Sequence, residues 1–216
     1  MKFIPFEIKT GPENMQIDSD LLNEAVETNF KDAIFRLYGW SPACVSLGRN
    51  QKDDFLDKNF LKSQNIDIVR RLTGGRALLH DKELTYSFIC PVEYLKHGEN
   101  IKDSYIEISG FLIDKFSRIG INLDFGTRKP LKTNFEYCML LSTGADLCYN
   151  GKKLIGSAQC RKNGYILQHG SILMDYDKTL LENIFHEHIE NTEVTSIKEI
   201  APDLTIDNLI DLFSNY

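Results

Sequence analysis

Residues 70–87 read Arg70-Arg71-Leu72-Thr73-Gly74-Gly75-Arg76-Ala77-Leu78-Leu79-His80-Asp81-Lys82-Glu83-Leu84-Thr85-Tyr86-Ser87. An apolar lead (Ile66, Ile68, Val69) runs into two arginines and a glycine pair. A second strand pattern follows, with Leu84, Tyr86 and Phe88 alternating with Thr85, Ser87 and Ile89. Adjacent glycines between strands let backbone N–H groups approach a ligand where a Cβ would block it. The flanking arginines offer fixed forked donors for a carboxylate or phosphate. Gly-Gly also serves ordinary hairpin turns, so the stretch alone leaves a turn and a binding loop open.

Working outward, the pattern alternates between strands and helices. Lys2 to Ile8 reads as an edge strand, where Pro5 is permitted. Asp18 to Thr28 has helical spacing at Leu21, Leu22, Ala25 and Val26, with Asp18 or Ser19 as cap. Ile34 to Leu47 divides into two strands around Gly39-Trp40-Ser41-Pro42, and Trp40 and Phe35 read as core. Lys52 to Asn65 places Phe55, Leu56, Phe60 and Leu61 on one helical face. The stripe Ile101, Tyr105, Ile108, Leu112, Phe116 predicts a helix from Ile101 to Ile119, ended by Gly120. Asn150-Gly151 and Asn163-Gly164 each sit between strand-like segments as hairpin turns. From Leu180 the chain turns helical, with a break at Pro202. The layout predicts an α+β fold, a mostly antiparallel β-sheet flanked by helices on one side.

Bulk properties narrow the function classes. The 216 residues suit one domain spanning 1–216, and 42% hydrophobic with 26% charged residues is ordinary for a globular protein. No apolar run approaches the ~20 residues of a membrane helix. The N-terminus is too short in apolar length and too soon acidic for a signal peptide. The five cysteines are odd in number and lack a CxxC pair. That disfavours a disulfide framework and a zinc site, and suits reduced thiols in a cytoplasm. His186 and His188 lie two apart on a presumed helix and share no face, so no metal site is read there. A net charge of −6 argues against nucleic-acid binding. Between Gly126 and Lys162, however, seven basic residues (Arg128, Lys129, Lys132, Lys152, Lys153, Arg161, Lys162) face two acidic ones, Glu136 and Asp146. This local excess is either a solvated face or a docking surface for an acidic carrier domain.

Several blocks carry a family resemblance. They are the quoted stretch, Gly151 to Gln159 (GKKLIGSAQ), Leu167 to Leu173 (LQHGSIL) and Pro42 to Gln51 (PACVSLGRNQ), with weaker echoes at Asn14–Asp18 and Val194–Ile200. In these blocks the chain resembles the lipoate/octanoate attachment enzymes: lipoate-protein ligase A and the cysteine-dependent octanoyltransferases related to it. The resemblance implies the biotin/lipoate protein ligase fold, distantly shared with class II tRNA synthetases. It also implies a single catalytic domain over 1–216, with no room for the accessory C-terminal domain of many ligases.

Two chemistries go with that family. Ligases use ATP and Mg to form an acyl-adenylate; transferases need no cofactor and hold octanoate as a cysteine thioester. Cys138 lies fifteen positions before Lys153 of the GKKLIGSAQ block, a separation that looks like that of nucleophile and lysine in the transferases. Lys153 would then lower the thiol pKa and help hold the acyl carbonyl. A free cysteine is otherwise a small buried hydrophobe. Cys160 is the second candidate and Cys148 a poorer one. In Thr143-Gly144-Ala145-Asp146, Gly144 and Ala145 replace the polar pair of an Arg-Asn-Asp type ligase segment, which favours transfer. Gly48-Arg49-Asn50-Gln51 is closer to the ligase version.

By the same resemblance, Gly74 and Gly75 line an acyl tunnel, and Arg71, Thr73, Arg76 and Ala77 shape its mouth. Backbone N–H groups there or at Gly156, Ser157 and Ala158 are placed to stabilise an oxyanion. His169, before Gly170, braces the loop or takes part in catalysis; His80 orients the loop or carries a proton. The implied partners are octanoyl-acyl carrier protein and lipoyl-carrier domains, namely the glycine-cleavage H protein or the acyltransferase subunits of 2-oxoacid dehydrogenases. A ligase working with a separate accessory subunit, or a non-catalytic acyl-binding subunit, are the alternatives.

Overall fold

Two Asn-Gly turns set the middle of the molecule. Asn150 and Gly151 take φ of 49° and 78°, and Asn163 and Gly164 take 47° and 82°. Positive φ at both central residues is the hairpin turn that matches strand twist. These turns join β8 (Leu147–Tyr149), β9 (Lys152–Lys162) and β10 (Tyr165–Leu173). The computed structural model describes residues 1–126, 136–140, 144–189 and 193–214. The earlier strands are β1 (Lys2–Lys9), β2 (Ile34–Trp40), β3 (Cys44–Leu47), β4 (Asp67–Arg70), β5 (Leu78–His80), β6 (Glu83–Pro91) and β7 (Asp124–Phe125). The helices are α1 (Gly11–Glu27), α2 (Lys58–Ser63), α3 (Ile101–Ser117), α4 (Lys178–Phe185), α5 (Ile197–Ile200) and α6 (Ile206–Ser214).

The larger sheet runs β1-β2-β6-β10-β9-β8-β7, and the smaller runs β4-β3-β5. Within the larger sheet β1 and β2 are parallel and the other pairs antiparallel. The mostly antiparallel α+β layout is as the sequence predicts. Helices on one side is not. Phe35, Leu37, Leu84 and Phe88 face α3 and α6 through Leu112, Phe116, Leu209 and Phe213. The opposite face carries Ile34, Ile89 and Leu167, and α1 covers these with Leu22 and Ala25. Apolar residues on both faces require a cover on each.

Two helices differ from their predicted spans. The first begins at Gly11, with Thr10 as cap and Glu13 closing a capping box. Asp18 is therefore no cap; it is a buried mid-helix carboxylate that pairs with Arg36 at 2.9 Å. The second covers only Lys58–Ser63, because the Asp57 side chain caps it by accepting from the Asn59 and Phe60 N–H groups. Between the glycine pair and β6, Leu78–His80 forms a strand of the smaller sheet.

Cross-strand register lays out the α1-side face in rows. One row is Ile34, Ile89, Leu167, Cys160; the next is Arg36, Ser87, His169, Ala158; the third is Tyr38, Thr85, Ser171, Gly156. Along the strands the face changes from apolar to polar and small. The apolar row packs with α1, and the third row floors a cavity. Among the described residues, no helix is long and apolar enough to cross a membrane.

Candidate active site

The cavity lies between the third row and the smaller sheet. Met15, Trp40 and Leu78 supply walls, and Cys138 and Met139 join them. The space between the walls, open mouth included, is about 520 Å³. Tyr38 on β2 and Gly156 on β9 are three strand spacings apart, roughly 14 Å. Trp40 thus belongs to a cavity wall rather than to a sealed core. Its ring stacks on His80 with centroids 3.9 Å apart, and its Nε1 donates to Thr85 Oγ1 at 2.8 Å. Phe35, by contrast, is core.

Lys153 reaches this side of the sheet through a bulge. Leu147 and Cys148 of β8 oppose Ile155 and Lys153 of β9, so Leu154 is an extra residue. The bulge breaks alternation. Leu154 and Ile155 both enter the α3-side core, and Lys153 lies beside Gly156. Lys153 is 1% exposed. Its Nζ donates to the Cys138 carbonyl at 3.0 Å and pairs with Asp146 at 3.2 Å. Burial alone would pull this ammonium down. The Asp146 carboxylate, together with the nearby sulfur of Cys138 when it is ionised, outweighs it and holds the Lys153 pKa above the ordinary lysine value. A Cβ on Gly156 would meet Lys153 Cε at 3.0 Å, so glycine there lets the ammonium lie against the strand.

Cys138 is fixed by backbone contacts. Its N–H donates to the Ala77 carbonyl at 2.8 Å, and the Ala77 N–H donates to the Glu136 carbonyl at 3.0 Å. Tyr137 between them stacks on Phe185 at 4.6 Å, and Glu187 accepts from the Glu136 and Tyr137 N–H groups. The other cysteines differ in character. Burial pushes the Cys44 and Cys90 thiols up to about 12, and the Cys160 thiol up to about 11. Cys148 is buried in β8. Of the cysteines, Cys138 lines the cavity.

The glycine loop is braced from beneath. Gly75 takes φ of 94°, and a Cβ on Gly48 would stand 1.9 Å from the Gly75 carbonyl oxygen, so the two backbones touch. The Arg71 fork donates to the carbonyls of Ser46, Gly74 and Arg76 at 2.6–3.0 Å. Arg70 donates to the carbonyls of Gly48 and Gln51 at 2.7 and 2.6 Å. The arginines that look suited to an anion thus shape loops. Thr73 is fully buried and bonds His169 Nε2 at 2.7 Å, while His169 Nδ1 lies 3.3 Å from Asp18. His80 lies between Ser46 at 2.8 Å and Glu83 at 3.3 Å, and burial lowers its pKa despite Glu83.

Of the residues singled out in the sequence, Arg71, Gly75, His80, Cys138, Gly156, Ser157, Ala158, His169 and Gly170 line the cavity. Gly74, Gly75 and Arg76 line a shallower depression with Gln51 and Glu136 on the outside of the loop. Thr73 and Ala77 are fully buried beneath the loop, not at its mouth. Arg128, Lys129, Lys132 and Thr143 lie outside the described residues. Met15, Ser46, Thr85 and Ser171 are cavity residues that the sequence did not single out. The alternation of LQHGSIL puts Ser171 on the same face as His169, and that was the available signal.

A cysteine that lines a largely apolar cavity, with a buried ammonium held against its backbone, in an α+β domain, is an arrangement suited to acyl-group chemistry. The chain belongs to the lipoyl protein ligase A/B catalytic domain family, whose model matches residues 10–216. It is 39% identical over 203 residues to the octanoyltransferase LipM of Clostridioides difficile, covering 90% of this chain and 71% of that protein. It is 37% identical over 205 residues to the LipM of Staphylococcus aureus, covering 88% and 72%. A solved lipoate-protein ligase A bound with ATP shares the fold, with a TM-score of 0.74 at 20% identity over 98% of this chain and 81% of that one. The fold is that of the biotin/lipoate protein ligases.

Proposed function

We propose that this chain is an octanoyltransferase that takes a medium acyl chain from acyl carrier protein, holds it on Cys138, and passes it to a lysine of a lipoyl-carrier domain. The observation that carries this is the contact of the Lys153 ammonium with the Cys138 backbone at the cavity. The names of the LipM relatives support the same reaction. We place the enzyme in a cytoplasm, acting as one catalytic domain without a cofactor; ATP and Mg belong to the ligase alternative.

In the first half-reaction the Cys138 sulfur attacks the thioester carbonyl carbon, and the carbonyl pair moves to oxygen. The pair returns as the bond to the pantetheine sulfur breaks, and that thiolate takes up the proton given by the Cys138 thiol. The neutral amine of the acceptor lysine then attacks the acyl-enzyme. An amide forms, and Cys138 regains a thiol with the proton lost by the amine. Lys153 keeps a positive charge beside both steps, and Asp146 holds it in place. The apolar walls Met15, Trp40 and Leu78 suit an alkyl chain.

The test is incubation with octanoyl-acyl carrier protein and an apo lipoyl domain without ATP, followed by intact mass. Octanoylation of the domain, with an acyl adduct on the enzyme that Cys138→Ser abolishes, is the expected result. Transfer that survives Cys138→Ser sinks the thioester route. Modification that requires free lipoate and ATP makes the chain a ligase.

A further inference from the structure

One polar atom on the cavity floor is left over by everything above. Ser171 is 1% exposed, lines the cavity, and its Oγ has no hydrogen-bond partner among the described residues. A buried hydroxyl without a partner is destabilising, so such an atom calls for an acceptor that arrives with a ligand. Position says which one. Ser171 pairs directly with Gly156 in the β10–β9 register. Directly opposed residues hold their Cβ positions about 4.5–5.5 Å apart. The position a Gly156 Cβ would occupy is 3.3 Å from Lys153 Nζ, and that Nζ holds the Cys138 backbone. Ser171 and the Lys153 ammonium are therefore both neighbours of the bare backbone of Gly156, and Ser171, Gly156 and Cys138 line the same cavity. An alkyl chain carries no acceptor; the thioester carbonyl does.

We infer that the Ser171 hydroxyl donates a hydrogen bond to the carbonyl oxygen of the bound acyl thioester, and that the bond strengthens when this oxygen becomes the oxyanion. The inference rests on the transferase proposal and adds a donor to it. When the Cys138 sulfur bonds to the carbonyl carbon, the pair displaced onto oxygen is met by the Ser171 O–H, while the Lys153 ammonium behind Gly156 adds its positive charge nearby. The hydroxyl keeps its proton. When the pair returns, the bond to the leaving sulfur breaks and the hydroxyl is unchanged.

Ser171→Ala separates this from a structural role. A hydroxyl of no use to the reaction is a buried unsatisfied group, so its removal would raise Tm and leave the rate alone. A donor to the oxyanion instead gives a variant at least as heat-stable as the parent that acylates about 10²–10³-fold more slowly, with KM for the donor little changed. Acylation is read by rapid quench and intact mass with octanoyl-acyl carrier protein. The infrared carbonyl band of ¹³C-labelled octanoyl-Cys138 should move to higher frequency in Ser171→Ala, and Ser171→Thr should recover most of the rate. A Ser171→Ala protein that acylates at the parental rate with an unmoved carbonyl band overturns the assignment while the transferase proposal stands. If the parent protein itself forms no adduct on Cys138, the transferase proposal falls and takes this assignment with it.

Discussion

Gly156→Ala changes the site by one methyl group without altering a reacting residue. Its Cβ would stand 3.0 Å from Lys153 Cε, 3.2 Å from Met139 Sδ and 3.3 Å from Lys153 Nζ. Carbon contacts are comfortable at about 3.5–4.0 Å, so the neighbours must withdraw by a few tenths of an ångström. Both are the flexible ends of long side chains, and the fold survives. Lys153 Nζ starts 3.0 Å from the Cys138 carbonyl and 3.2 Å from Asp146. A retreat of that size carries at least one contact out of good hydrogen-bond range. A hydrogen bond to a charged group is worth about 1.5–3 kcal/mol, and each ~1.4 kcal/mol on a barrier is tenfold in rate. Acylation of Cys138 should therefore slow by about 10- to 100-fold, with Tm lowered by only a few degrees. Rapid-quench mass spectrometry gives the rate and calorimetry gives Tm. Acylation at the parental rate would refute the link between Lys153 position and chemistry. Loss of the folded state would refute the claim that the side chains yield.

Three further outcomes follow from other polar groups. Asp18→Asn strips Arg36 of its carboxylate 2.9 Å away and should destabilise the protein by about 3–5 kcal/mol in urea unfolding, whereas Asp18→Asn with Arg36→Met should recover part of that. Burial pushes the Asp18 carboxyl up, but His169, Arg36 and Tyr38 together hold it below the ordinary aspartate value. Its contribution is thus full above that ordinary value and lost as pH falls through the folded pKa. His80 has the opposite cause. Burial lowers its pKa, so the unfolded chain binds the proton first and stability should fall as pH drops below about 6.5; His80→Gln should flatten that slope in thermal melts, and an unchanged slope would count against it. Glu187→Ala frees the Glu136 and Tyr137 N–H groups; hydrogen exchange at these two amides should accelerate and Cys138 acylation should slow, while exchange in β6 stays as it was.

Much of the fold was legible because local chemistry and tertiary context agree. Both Asn-Gly pairs turn as their φ angles require, and the Ile108–Leu112–Phe116 stripe meets the sheet. The start of α1 was legible too, in Thr10-Gly11-Pro12-Glu13, but the apolar stripe farther along hid it. Asp18 resembled a cap because short polar residues usually stay out of helix interiors; its actual partner, Arg36, is 18 residues away on another element. Cys138 and Lys153 could be picked out because their separation resembles that of nucleophile and lysine in the cysteine-dependent octanoyltransferases, and the fold brings the Lys153 ammonium against the Cys138 backbone. The face on which Lys153 emerges could not be read, since period-two alternation assumes an unbroken strand and Leu154 interrupts it. Trp40 has the composition of a core residue, and only the stack on His80 and the bond to Thr85 reveal it as a wall.

The stitch between Ala77 and the Glu136–Cys138 segment is made of two backbone hydrogen bonds. Backbone bonds do not depend on which side chains flank them. The glycine loop and the segment that carries Cys138 therefore form a cassette whose alignment is written in the main chain. A change of side chain at Arg76 leaves both of these bonds in place. The vulnerable substitution is proline at Ala77 or Cys138, which would delete a donor and unpick the seam.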